Sequence, residues 1–169
     1  MYGVMKMSST ITRRQFIRQS VLVAGMGAIA ITVAACGGEA AVPTVASTGR
    51  TFTFDIDAGD TVAFNVKNLE AEAGSKITVN LSNKSTDKRF NWVLVKPGKM
   101  LRVVTDGQSE GETNGYIKPN DENVVAHTRM IGPGETDILT FDAPTAGEYQ
   151  FISTFPGYYT RLNGTLVIK

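Results

Sequence analysis

The sequence predicts an all-β sandwich of seven to eight short strands, and three observations carry that expectation. From Thr51 onward, apolar and polar residues alternate over short runs with the period of a half-buried strand. Pro-Gly and Gly-rich clusters break the chain between those runs. The 169 residues, 42% hydrophobic and 20% charged, suit one folded domain with appendages rather than a disordered or fibrous chain.

Taken in order, the chain opens on a basic segment, Thr12 to Arg18 (T-R-R-Q-F-I-R), followed by an apolar run from Val21 to Ala35 and then Cys36. This is the layout of an export signal. The run is shorter than the roughly 20 residues that a spanning helix needs and contains Gly25 and Gly27, so a permanent membrane span is the weaker reading. The Arg13-Arg14 pair fits a twin-arginine signal. Val33-Ala34-Ala35-Cys36 fits a lipobox, in which Cys36 is lipidated and becomes the new N-terminus. The bland alternatives are an ordinary positive segment for the arginines and a free thiol for Cys36. Residues 1–36 are thus expected to be a twin-arginine-type lipoprotein signal, with the protein lipid-anchored on the extracytoplasmic face of a bacterial membrane. Residues 37–50, rich in Gly, Ala, Thr and Val, read as a flexible tether with a reach of roughly 20 Å.

Residues 51–169 are the expected domain. Phe52, Phe54 and Ile56 mark a first strand, Val62, Phe64 and Val66 a second, and Ile77, Val79 and Leu81 a third. Further strands are expected at Asn91 to Lys96, Asp137 to Asp142, Glu148 to Thr154 and Gly164 to Lys169. They are separated by Pro97-Gly98, Pro133-Gly134, Pro144 to Gly147 and Pro156-Gly157. The stretch from Lys99 to Met130 carries mixed charge and several Gly; it reads as a flap insertion with room for a short helix.

Composition narrows the chemistry. One Cys and one His cannot supply an internal disulfide or the several ligands of a zinc or blue-copper site. The formal net charge of +1 hides a division: beyond Arg18 the chain has 13 Lys and Arg against 16 Asp and Glu. A mildly acidic domain has no electrostatic footprint for nucleic acid.

The second half of the domain carries specific motifs. They include Asn91-Trp92-Val93-Leu94-Val95, Val104-Thr105-Asp106-Gly107, Tyr116 with Lys118 and Pro119, and Val125-Ala126-His127-Thr128. Ile131-Gly132, Gly134-Glu135, Thr140-Phe141-Asp142, Thr154-Phe155-Pro156-Gly157 and Gly164-Thr165-Leu166 follow. In this order they resemble the azurin and auracyanin group of blue-copper cupredoxins, whereas residues 51–85 fit only by strand pattern. The resemblance implies a cupredoxin-like Greek-key β-sandwich, copper as the family cofactor, and electron transfer outside the cytoplasmic membrane. The tethered arrangement looks more like auracyanin than the soluble azurins.

The resemblance also implies four copper-ligand positions: the residue before Asn-Trp-Val-Leu, the residue before Thr-Phe-Pro-Gly, the residue after Pro-Gly, and one four residues further on. Here they are Phe90, Ser153, Tyr158 and Leu162 where the family has His, Cys, His and Met. Phe90 and Leu162 offer no donor atom, and Ser153 and Tyr158 offer neutral hydroxyls. A copper–thiolate bond cannot form. Each replacement roughly preserves shape, so the pocket is expected to close as core, with no cofactor. Asn91, which in the family supports the ligand loop, is expected to remain a structural tie.

Other residues have plainer readings. His127 lies outside the family's ligand positions and reads as a surface or capping His. Met100 and Met130 read as packing residues rather than copper(I) ligands, and Trp92 as core. Ser153 with His127 lacks the G-x-S-x-G turn of a hydrolase, and Asp106, Glu110 and Glu112 read as solvated acids of the flap. No catalytic residues are expected. Phe155 to Tyr159, with the pair Tyr158-Tyr159, would lie at the rim, where an aromatic patch suits a protein partner. The expected function is a membrane-anchored binding or structural module; the alternative is a blue-copper electron carrier.

Overall fold

The computed structural model describes residues 49–169; the expected signal, Cys36 and the tether up to residue 48 lie outside the described residues. The elements run β1 (Thr51–Ala58), β2 (Asn68–Ala71), β3 (Lys76–Asn83), β4 (Val93–Val95), α1 (Met100–Glu110), β5 (Val124–His127), β6 (Thr136–Asp142), β7 (Gly147–Ile152) and β8 (Asn163–Ile168). The strands form a sandwich of two sheets, ordered β1-β3-β6 and β2-β8-β7-β4-β5. β1 and β2 follow one another in the chain but join different sheets, each parallel to its partner, β3 and β8 respectively. The expected β-sandwich with a flap helix is the observed fold.

Alternation builds the sandwich. Along β3, Ile77, Val79 and Leu81 point inward and are fully buried, while Lys76, Thr78 and Asn80 face out. β4 departs from that rule because both of its faces are covered. Leu94 joins the main core with Ile56, Trp92 and Phe151, whereas Val93 and Val95 pack with Ile152 against Val103, Val104 and Ile117 of the flap. The flap is therefore a third layer over the five-stranded sheet. Helix α1 begins after Gly98 (φ 71°) and ends at Gly111 (φ 69°), positions where a side chain would be strained. Gly107 lets it seat closely, since a Cβ there would lie 2.1 Å from the carbonyl oxygen of Tyr116.

Two sequence expectations need correction. Val62, Phe64 and Val66 do not form a strand. Val62 has φ 53°, its N–H bonds to Gly59 O, and only an isolated bridge joins Phe64 to Ala58, so Val62 and Phe64 reach the core from a turn. The second strand is instead Asn68–Ala71, inserting Leu69 and Ala71. The flap, read from the sequence as an insertion with room for a short helix and assigned no strand, also contains β5, which pairs antiparallel with β4.

The domain has two poles. At one, Arg50 O accepts from Lys76 N and Ser75 O accepts from Ala143 N, so the chain enters there. At the other, Asn83, Phe90 and Ile131 meet: Phe90 and Ile131 exchange main-chain bonds of 3.0 and 2.8 Å, and Asn83 Nδ2 donates to Ile131 O. The ends of β4 and β7 that carry Phe90 and Ser153 share this second pole.

Candidate functional site

Three segments converge at the second pole. Phe90 and Asn91 precede β4, Ser153 and Thr154 follow β7, and residues 153–162 loop back to β8. Ser153 N donates to Leu162 O at 2.9 Å, closing the neck of the loop. Inside it, Tyr158 N donates to Phe155 O, and Tyr158 O accepts from both Arg161 N and Leu162 N. Gly157, at φ 81°, makes the turn in a conformation that side chains disfavour. The ring of Phe90 stands 5.8 Å from that of Tyr158, and Tyr158 stands 4.8 Å from Phe155. Phe90, Ser153 and Leu162 are fully buried, and Tyr158 is half-buried against the same core. The four residues singled out in the sequence thus lie around one another, joined by ring packing and main-chain bonds.

Asn91 ties the segments together. Its Oδ1 accepts from Ser153 Oγ at 3.1 Å and from Thr154 N at 2.9 Å. Its Nδ2 donates to Thr154 Oγ1 at 2.7 Å and to Gly115 O at 3.1 Å, where Thr154 Oγ1 also donates. This buried amide has partners for both hydrogens and two for its oxygen, the condition under which a buried polar group stabilises a fold. Sequence reading anticipated Asn91 but missed Thr154 and Gly115. Thr154 was visible only as part of a motif, and a backbone carbonyl leaves no mark in a sequence.

The rim is broader than Phe155 to Tyr159. Tyr116, in the flap at φ 56°, sets its ring edge-on to Phe155 at 5.5 Å. Four rings, Phe90, Tyr158, Phe155 and Tyr116, therefore run in contact from the core to the flap. Beside them, a hydrogen bond to Asp87 raises the pKa of Lys88 above its ordinary value.

The remaining candidates lie elsewhere. His127 is exposed on β5, with Nδ1 3.0 Å from Thr128 O, and Ser153 uses its hydroxyl with Asn91, so the two share no hydrogen bond. Asp106 pairs with Arg102 and Lys118, Glu112 pairs with Arg89, and Glu110 accepts from Asn114. Met100, the first residue of α1, packs partly buried on the cluster between flap and sheet, and Met130 lies half-buried beside Gly115. Trp92 is fully buried and stacks on Phe151 at 5.7 Å. Two grooves of about 370 and 400 Å³ flank His127, and neither is lined by Phe90, Ser153, Tyr158 or Leu162. Among the described residues no three or more His, Cys, Asp or Glu group as metal ligands, and no helix is long and apolar enough to cross a membrane.

A two-sheet sandwich with a flap helix and a β7–β8 loop closing over an Asn-anchored pocket defines a cupredoxin. Residues 50–169 match the family of copper binding proteins of the plastocyanin/azurin type, and the chain belongs to that family. It is 40% identical over 123 residues to the azurin of Pseudomonas chlororaphis, covering 68% of this chain and 96% of that protein. Auracyanin-A of Chloroflexus aurantiacus is 33% identical over 159 residues, covering 90% and 98%. The solved structure of auracyanin A from that bacterium, described as a "blue" copper protein, superposes with a TM-score of 0.68 at 33% identity, covering 70% of this chain and 99% of its own. The reduced auracyanin of Roseiflexus castenholzii superposes at 0.67 with 30% identity, covering 72% and 99%.

Proposed function

We propose that this protein is a cupredoxin that does not form a type 1 copper site and works as a binding or structural module on the extracytoplasmic face of a membrane, held by a lipid on Cys36. The observation that carries the reading is the filling of the pocket. Phe90, Leu162 and Ser153 are fully buried, the Ser153 hydroxyl donates to Asn91, and the ring of Tyr158 packs on Phe90. Type 1 copper requires imidazole nitrogens and a thiolate; two of these side chains have no donor atom and the others have neutral hydroxyls, so the residues present do not fit the metal. No redox step is assigned to the chain, and no catalytic reaction. The aromatic rim of Tyr116, Phe155 and Tyr158 is the surface proposed to meet a protein partner, since aromatic residues are enriched at interfaces, whereas Tyr159 packs against the flap-side cluster. Nucleic acid is not a proposed partner.

The family match and the "blue" copper relative favour a second reading, a copper electron carrier. Titrating the purified full chain with copper(II), desalting it, and recording the visible spectrum with a copper assay separates the two. The copper-free reading expects a colourless protein without stoichiometric copper. An intense thiolate band with one copper retained per chain establishes the second reading instead.

A further inference from the structure

The β7–β8 loop is also held from outside the pocket, by a residue of the segment leading into β2. Lys67 touches the exit of the loop twice. Its Nζ donates to Arg161 O and Asn163 O, each at 2.8 Å, and its own carbonyl accepts from Thr165 N at 2.8 Å. Among the described residues no salt bridge joins Lys67 to a carboxylate, so these loop carbonyls are its polar partners. The approach depends on Gly164, where a Cβ would come 2.6 Å from Lys67 O and 2.2 Å from Phe151 Cζ. Arg161 adds a second tie, Nη2 to Thr61 O at 2.9 Å.

One of the carbonyls engaged, Arg161 O, is one that a turn leaves open; the other, Asn163 O, belongs to the first residue of β8. Arg161 N and Leu162 N both bond back to Tyr158 O, which makes residues 158–162 a single helical turn. The last carbonyls of such a turn have no partner within it, and a cationic side chain placed there caps them. We infer that Lys67 is a positioning residue that caps this turn, so that the loop bearing Phe155 to Tyr159 keeps its shape without a metal to cross-link it. The final clause rests on the copper-free reading; the capping role does not.

Amide hydrogen exchange on the full chain tests this, comparing wild type with Lys67→Met, which keeps the stem and removes the donors, and Lys67→Arg, which keeps the charge and donors. In Lys67→Met the amides of Tyr158, Arg161 and Leu162 are expected to exchange up to about tenfold faster, with those of Leu94 and Phe151 unchanged. Lys67→Arg is expected to restore most of the protection. Unchanged loop exchange in Lys67→Met overturns the inference, as does an equal acceleration of loop and core, which would mark Lys67 as a contributor to general stability only. Repeating the Lys67→Met measurement with copper(II) separates the two ideas. Slowing of the loop amides by copper defeats the copper-free reading while leaving the cap in place; unchanged loop exchange in both arms defeats the cap alone.

Discussion

The ring of Phe90 stands 5.8 Å from the ring of Tyr158 at an interplanar angle of 45°, joining the strand-β4 wall of the pocket to the β7–β8 loop by side-chain packing alone. Tilted aromatic pairs at this distance contribute about 0.5–1.5 kcal/mol beyond their buried area. A cross-link of this kind needs neither a donor atom nor a metal.

That relationship leads to a gain-of-function test. The quadruple substitution Phe90→His, Ser153→Cys, Tyr158→His and Leu162→Met places the family's donor set around a pocket whose Asn91 frame is intact. The variant is expected to bind one copper(II) and absorb strongly in the visible, as seen by titration and spectroscopy. A folded quadruple variant that stays colourless would refute the assignment of these four positions.

Leu162 is fully buried in the main core cluster, and its truncation leaves a void there. Leu162→Ala should destabilise the domain by about 2–5 kcal/mol in urea unfolding, whereas Leu162→Met should cost less than about 1.5 kcal/mol. Equal stability of the Ala variant and wild type would show that the pocket is not packed core.

Removing the amide of Asn91 leaves Thr154 N without its acceptor and Gly115 O with one donor fewer. Asn91→Ala is expected to lose about 2–4 kcal/mol of stability, through buried polar groups left unpaired. Chemical denaturation compared with a surface control such as Ser109→Ala measures it.

Glu135 gives an acid dependence. The Gly132 N–H, donating to its Oε2 at 2.8 Å, holds its pKa below the ordinary 4.5, with Arg129 assisting. A carboxylate with a lowered folded pKa stabilises the fold above its unfolded value, and the contribution is lost as pH falls through the folded value. Melting temperature should therefore fall more steeply below about pH 4.5 in wild type than in Glu135→Gln, with the two curves converging at the acid end. Parallel curves from pH 7 to pH 3 would contradict this role.

Cys36→Ser should move the protein from the membrane fraction to the soluble fraction of expressing cells, read by immunoblot after fractionation. Unchanged retention in the membrane would rule out a lipid on that residue as the anchor.

What was legible in the sequence was what side-chain period and motif spacing encode. The alternation of Ile77, Val79 and Leu81 gave β3 because that strand is buried on one face. The same alternation at Val62, Phe64 and Val66 misled, because Asn65 folds back on β1: its N–H bonds to Asp57 O, and its Oδ1 accepts from Asp57 N. β2 was illegible because four residues with only Leu69 and Ala71 inward carry too little pattern. β5 was illegible because Val124, Val125 and Ala126 are all half-buried. At the candidate site, residue types could be aligned by motif and a closed pocket expected from their size, but the contact between Phe90 and Tyr158 came only from the structure. The capping of Arg161 O by Lys67, 94 positions away, depends on the β2–β8 pairing, which no local pattern specifies.

The entry of the chain beside Lys76, at the pole away from Phe90 and Ser153, has a mechanical consequence. The eight residues of β3 alone separate the two poles by roughly 25 Å. An attachment made through residues before Arg50 therefore pulls on one end of the sandwich while the aromatic face stays at the other. Load applied there passes first into the β1–β3 pairing, and the contact between Phe90 and Tyr158 lies at the far pole, outside that path.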